Sequence, residues 1–172
     1  MGNRVLVAYA SKRGGTKEIA KRIGEVLREA GLDAEVRPVG RVRDLERYDA
    51  VVLGSGVYIG RWRRPAARFL KRRRQTLADM PVWLFSSGPT GEGDPVKIAS
   101  GWRFPKPLQA AADEVGPRDA ALFHGVLKES ELTFIERWMI RNVNAPLGDF
   151  RDWDAIVAWA ESIAEELAPA CS

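Results

Sequence analysis

The residues best placed to do chemistry are Ser11-Lys12-Arg13-Gly14-Gly15-Thr16, which join the apolar run Val5-Leu6-Val7-Ala8-Tyr9 to a helix-periodic stretch. Glycines let the backbone turn tightly, and the first amides of a helix point outward without partners. Those amides, the positive end of the helix and the hydroxyls of Ser11 and Thr16 together make a phosphate site, and Lys12 and Arg13 add charge. The plain alternative is an ordinary strand-to-helix turn in which Thr16 caps the helix. Two commoner nucleotide motifs are excluded. No Gly-x-x-x-x-Gly-Lys-Ser/Thr loop occurs, and Gly54-Ser55-Gly56-Val57-Tyr58-Ile59-Gly60 has neither the position nor the spacing of a dinucleotide fingerprint.

That second run, continued to Trp62, has its own use. Small residues bring backbone amides and carbonyls close to a flat ring, and Tyr58 or Trp62 could stack on its face, unless they simply roof the core. Ser86-Ser87-Gly88-Pro89-Thr90-Gly91 is again small and polar, suited to the opposite edge of a planar ligand. Three such loops at one sheet edge would form a site for a phosphorylated, flat molecule.

The elements that would position these loops follow from the apolar pattern. Residues 5–9, 50–54, 82–86 and 120–126 are short continuous apolar runs that read as buried strands. Residues 34–39 alternate and hold Pro38, which suits an edge strand. Ile19, Ala20, Ile23, Val26, Leu27 and Ala30 recur at helical steps before Gly31. Further helices are expected over residues 65–77, 108–115 and 152–167, with one helical turn at 44–48 and an irregular stretch at 87–107. Asp152 suits the N-cap of the last helix, whose buried stripe would be Trp153, Ile156, Val157, Trp159, Ala160, Ile163 and Leu167. Strands alternating with helices predict an α/β, doubly wound parallel sheet with helices on both faces, in a single domain over residues 1–172. Right-handed crossovers then put the ligand crevice at the carboxyl ends of the strands.

Composition removes other classes. With 45% apolar and 29% charged residues, the chain can bury a core. No apolar run approaches the ~20 residues of a membrane span. The first residues lack a signal-peptide core, and Met1-Gly2 lacks the Ser or Thr that a myristoylation site needs, so a cytoplasmic location is the default. One cysteine, Cys171, and one histidine, His124, exclude an intrachain disulfide and a familiar His/Cys metal site. His124 reads as a structural residue more readily than a catalytic one.

The phosphate loop, with a Thr/Ser-x-x-Gly-x-Thr pattern present as Ser11 to Thr16, resembles that of the flavodoxins. The run Gly54 to Gly60, Glu136-Arg137-Trp138-Met139-Ile140 and Asp152-Trp153-Asp154-Ala155-Ile156 are similar to one flavodoxin-domain branch, that of the menaquinone-dependent protoporphyrinogen dehydrogenases. The resemblance spans nearly the whole chain. It implies a five-stranded sheet of order 2-1-3-4-5, FMN as cofactor and redox chemistry at the flavin. Phosphate contacts would fall on Ser11, Lys12, Arg13, Gly14, Gly15 and Thr16. Ring contacts would fall on Ser55, Gly56, Val57, Tyr58, Ile59 and Gly60, and on Ser87, Gly88, Pro89, Thr90 and Gly91. No side chain is expected to act as a general acid or base, and no metal is expected. The activity implied is an oxidoreductase that moves electrons from a reduced organic substrate to a quinone or a protein; the alternatives are a flavodoxin-type carrier and a domain that has lost the flavin. Two departures stand out: Gly15 replaces a polar residue, and residues 91–107 match the dehydrogenases poorly.

Two further segments are distinctive. From Arg61 to Arg74 there are eight basic residues and no acidic one, either a solvated helix face or a docking surface for an anionic substrate, an acidic redox partner or a membrane surface. Nucleic acid is not expected, because no stacking array or reading motif accompanies the run. In residues 127–150, Leu132, Ile135, Trp138, Met139 and Val143 share a helical face, with Glu131, Glu136, Arg137 and Arg141 polar. That stripe suits the core, a partner, a homodimer contact or a peripheral membrane contact.

Overall fold

The computed structural model describes residues 3–143 and 145–169; Met1-Gly2 and Cys171 lie outside the described residues. In chain order the elements are β1 (Arg4–Ala10), α1 (Gly15–Glu29), β2 (Asp33–Pro38), β3 (Ala50–Tyr58), β4 (Arg61–Trp62), α2 (Arg64–Ala78), β5 (Val82–Ser87) and α3 (Pro95–Ile98). They continue with α4 (Gln109–Val115), β6 (Asp119–Phe123), β7 (Val126–Leu127), α5 (Phe134–Val143), β8 (Gly148–Asp149) and α6 (Trp153–Leu167). Single 3-10 turns cover Val39–Arg41, Leu45–Arg47, Lys106–Leu108 and Glu129–Glu131.

The main sheet has the order β2-β1-β3-β5-β6, all parallel, with the two-residue β4 added antiparallel to β3. Counted without β4, this is the 2-1-3-4-5 order. Alternation along the strands splits the core in two. Leu6, Ala8, Val51, Leu53 and Leu84 pack with Leu70 and Leu77 of α2 and Val115 of α4. Val5, Val7, Val52, Trp83 and Phe85 pack with Ile19 and Ile23 of α1 and Ile156 and Ile163 of α6. Burial on both faces is why these strands are continuously apolar. The chain passes from β1 to β2 on one side and to β3 on the other, so the crevice opens beyond the carboxyl ends of β1 and β3.

Three expectations change. Residues 54–58 are strand rather than loop: Gly54 and Ser55 pair with Tyr9 and Ala10 on one side and with Phe85 and Ser86 on the other. Neighbours on both sides, each satisfying its own set of backbone groups, outweigh the low strand preference of glycine. The strand expected over 120–126 ends at Phe123, and Val126-Leu127 instead pairs antiparallel with Gly148-Asp149 as a separate ribbon. Within α6, Ile156, Ala160, Ile163, Ala164 and Leu167 form the buried stripe, while Trp153 stays exposed with the Arg151 guanidinium 4.8 Å from its ring. Asp152 is the N-cap, accepting from the Ala155 amide at 3.0 Å. Among the described residues no helix is long and apolar enough to cross a membrane.

Candidate functional site

The loops that follow β1, β3 and β5 border one open cleft of about 760 Å³ at the carboxyl edge of the sheet. At its β1 end, Gly14 takes a left-handed conformation (φ 91°) as the N-cap of α1, and its amide donates to Ser11 Oγ at 2.9 Å. This turn leaves the first amides of α1 without intrahelical partners. Thr16 is buried, and its hydroxyl faces Gly56: a Cβ on Gly56 would come within 3.1 Å of Thr16 Oγ1. A side chain on Gly88 would approach Val57 Cβ at 2.9 Å, and one on Gly125 would meet the Gly88 backbone at 3.1–3.3 Å. The loops thus touch one another through glycines.

Beyond β3 the chain makes a tight hairpin in which Ile59 (φ 49°) and Gly60 (φ 66°) are both left-handed. Ser55 lies beneath this hairpin, fully buried; its hydroxyl donates to Gly56 O and accepts from the Arg63 amide. Trp62 turns into the core, donating to Ser86 Oγ at 2.7 Å and meeting the edge of Phe104. Tyr58 stays at the cleft, with Lys12 Nζ 5.0 Å from its ring and its hydroxyl 3.6 Å from Met139 Sδ.

Of the residues expected at the site, Ser11, Lys12, Arg13, Gly15, Thr16, Gly56 to Gly60 and Ser87 to Thr90 line the cleft. Gly14, Ser55 and Gly91 do not: the first shapes the loop, the second braces the hairpin, and Gly91 (φ 130°) lies against Ile98 and Pro146. Beside Arg63, Gly125 to Leu127, Ala145 and Pro146, the remaining wall comes from two segments, the stretch expected to be irregular and the one expected to carry an apolar helical stripe. Ile98, Ala99 and Trp102 come from the stretch after β5, and Leu132, Glu136, Met139 and Ile140 come from α5 and its lead-in. Apolar spacing marked a helical face in the second segment, but nothing in the spacing of either says where it folds back.

The α5 segment is fastened to the phosphate loop at both ends. Glu136, 5% exposed, is paired with both Lys12 and Arg13, and Arg13 Nε also donates to Glu131 O. Glu136, which the sequence marked only as polar, therefore belongs to the interior. The expected apolar stripe divides as well: Leu132 is buried and Met139 half-buried, but Ile135 and Trp138 join Phe134 in solvent, and the Val143 side chain lies outside the described ones. At the other end Arg151 donates to Gly15 O, Glu18 and Asp149. Val126 of β7 packs where Gly15 lacks a side chain, since a Cβ there would meet Val126 Cγ1 at 2.7 Å. That contact is the physical reason for glycine at this position.

The electrostatics are those of a crowded cationic end. Burial, then repulsion from Arg13 and Arg63, hold the Lys12 ammonium below its ordinary value. Arg63 lines the cleft and pairs with no carboxylate among the described residues. The rest of the basic run is elsewhere: Arg64, Arg68, Arg72 and Arg73 border a separate hollow of about 310 Å³ against Val39 and Val42, and Arg74 pairs with Glu114. His124 is buried and bridges loops, with Nε2 2.6 Å from Gly93 O and Nδ1 3.2 Å from Pro89 O, and it does not line the cleft. No cluster of metal-ligating side chains occurs among the described residues.

The chain matches the family model described as "Flavodoxin domain" over residues 6–154. It is 23% identical to the protoporphyrinogen IX dehydrogenase [quinone] of Escherichia coli, across 94% of each chain. It is 30% identical over 89 residues to an NAD(P)H dehydrogenase (quinone) of Methylocella silvestris, across 39% of this chain and 45% of that one. Among solved structures, flavodoxin 1 from Bacillus cereus superposes with a TM-score of 0.61 at 16% identity, over 96% of this chain and 99% of the other.

Proposed function

Because the chain belongs to the flavodoxin-domain family, we propose that it is an FMN-dependent oxidoreductase carrying electrons from a reduced, flat and anionic organic substrate to a quinone. The observation that supports this most is the composition of one cleft: hydroxyls and helix-end amides at one end, and an apolar slot with a lone arginine along the rest.

The residues present fit FMN. The loop from Ser11 to Thr16 offers Ser11 Oγ, Thr16 Oγ1 and the first amides of α1 to the phosphate. The glycine contacts among Gly56, Gly88 and Gly125 keep three backbones close enough to flank a ring, with Tyr58 beside it. When bound, FMN supplies one- and two-electron transfer, which no side chain here can supply. The chain itself would bind and orient the two molecules. Gly56 to Gly60 and Ser87 to Thr90 would hold the two edges of the ring, while Ile98, Trp102, Met139 and Ile140 would give an apolar wall to a second flat molecule. Arg63, free of carboxylate partners among the described residues, would orient a carboxylate of that molecule, such as a propionate of a reduced tetrapyrrole. The basic run does not act there as a whole; Arg63 alone of its eight cations lines the cleft.

The test is a purified, FMN-reconstituted protein assayed for oxidation of protoporphyrinogen with a quinone as acceptor. Flavin absorbance with turnover is expected, together with a rise in KM for Arg63→Ala. Intact FMN without turnover on any reduced tetrapyrrole would favour an electron carrier. Failure to bind FMN at all would overturn the proposal.

A further inference from the structure

Lys12 and Arg13 would be expected to serve the phosphate, yet both side chains are engaged by one carboxylate from α5. Glu136 is 5% exposed and uses both oxygens: Oε1 takes Lys12, and Oε2 takes Arg13 together with the Thr133 amide at 2.9 Å. The Glu136 amide in turn donates to Thr133 Oγ1 at 3.3 Å, so Thr133 and Glu136 form a reciprocal cap at the start of α5. A single side chain thus caps the start of a helix, pairs with two cations and lines the cleft. A buried carboxylate needs such pairing, since an unpaired charge there is costly.

We propose that Glu136 is a positioning residue that draws Lys12 and Arg13 off the phosphate site, so that phosphate is held by neutral donors and α5 is pinned as a roof over that end of the cleft. The proposal rests on the FMN reading. The three charges of the triad leave a net single positive charge where two would otherwise face the phosphate dianion, and the carboxylate itself repels that dianion. Selectivity then comes from the shape and direction of amides and hydroxyls rather than from bulk charge, and simple anions compete poorly. The same pairs fasten α5, which adds nothing to the main sheet, to the loop after β1.

Glutamine can keep the N-terminal cap while losing the charge, whereas alanine loses both, so Glu136→Gln and Glu136→Ala separate the two roles. Titrations of each apoprotein with FMN, riboflavin and inorganic phosphate at low and high salt provide the readout. In Glu136→Gln, FMN and inorganic phosphate should bind about tenfold more tightly at low salt, with a steeper salt dependence, while riboflavin is unchanged. Lys12→Ala should alter FMN affinity by less than about threefold in the wild type and by about tenfold in the Glu136→Gln background. Proteolysis within residues 128–147 should accelerate in both Glu136 variants. Equal weakening of FMN and riboflavin in Glu136→Gln would overturn the proposal, as would an unchanged salt dependence. Wild-type protein that binds phosphate but no flavin would refute the FMN reading alone, and the phosphate titration would still read the role of Glu136.

Discussion

Replacing Gly54 by alanine tests how the fold delivers the site. Gly54 lies in β3 opposite Phe85 of β5, and the Phe85 ring occupies the space a side chain would need. A Cβ on Gly54 would fall 2.0, 2.2 and 2.4 Å from three atoms of that ring, well inside any real carbon–carbon contact. The ring cannot easily retreat. Phe85 is fully buried, with Phe123 and Trp159 each 6.0 Å away between centroids. Relief must come from a shifted rotamer and a displaced β3, which overpacking studies put at about 1–3 kcal/mol. For a domain of this size that lowers Tm by roughly 2–4 °C per kcal/mol, or about 4–12 °C at the upper half of that range. Thermal and urea unfolding followed by circular dichroism would measure it, with the urea slope unchanged. Phe85→Leu alone should also destabilise, through the cavity it leaves. In the Gly54→Ala background its cost should shrink by about 1 kcal/mol or more, because the new methyl occupies that space. Because β3 runs on through Gly56 to Tyr58, FMN affinity should fall along with stability. A Gly54→Ala protein within about 1 °C of wild type, or strict additivity with Phe85→Leu, would refute this account of Gly54 as a packing residue.

Other outcomes follow from single contacts. Thr16→Val keeps the buried shape but removes the hydroxyl beside Gly56; FMN binding should weaken about tenfold or more while riboflavin binding is spared, as titrations of the two flavins would show. The Tyr48 hydroxyl donates to Glu35 at 2.6 Å, which, with Arg37 and Arg47 beside it, holds the Glu35 carboxyl below its ordinary value of 4.5. A lowered carboxyl stabilises the fold above that value and loses the contribution as pH falls through the folded value, so the stability gap between wild type and Tyr48→Phe should narrow in acid. Burial and Glu35 raise Tyr48 above 10.0, so the gap should narrow again as pH climbs past that point. Asp152→Ala removes the cap on α6 and should cost about 1 kcal/mol in urea unfolding without changing FMN affinity.

What the amino-acid sequence determined by itself was the local part. Short continuous apolar runs at β1, β3 and β5, bounded by turn residues, read as strands covered on both faces, and residues of α1 and α6 recur at the spacing of one buried helical face. A Gly-rich turn between such a strand and helix presents unpaired amides wherever it occurs, so Ser11 to Thr16 was legible without a structure. Asp152 as a cap was legible for the same reason: its partner is three residues away. The tertiary structure decided what depends on distant partners. Gly54 and Gly15 are glycines because of Phe85 and Val126, and neither reason is present in their neighbours in the chain. Glu136 read only as a polar residue beside an apolar stripe; its partner, Lys12, lies 124 positions away and is met only in the fold. Helical periodicity also put Trp153 in a buried stripe and left the stripe of Ile135 and Trp138 open between core and contact surface; all three are exposed, because the helices already cover the sheet. Spacing records which face of an element a residue occupies; what that face meets is a property of the assembled layers.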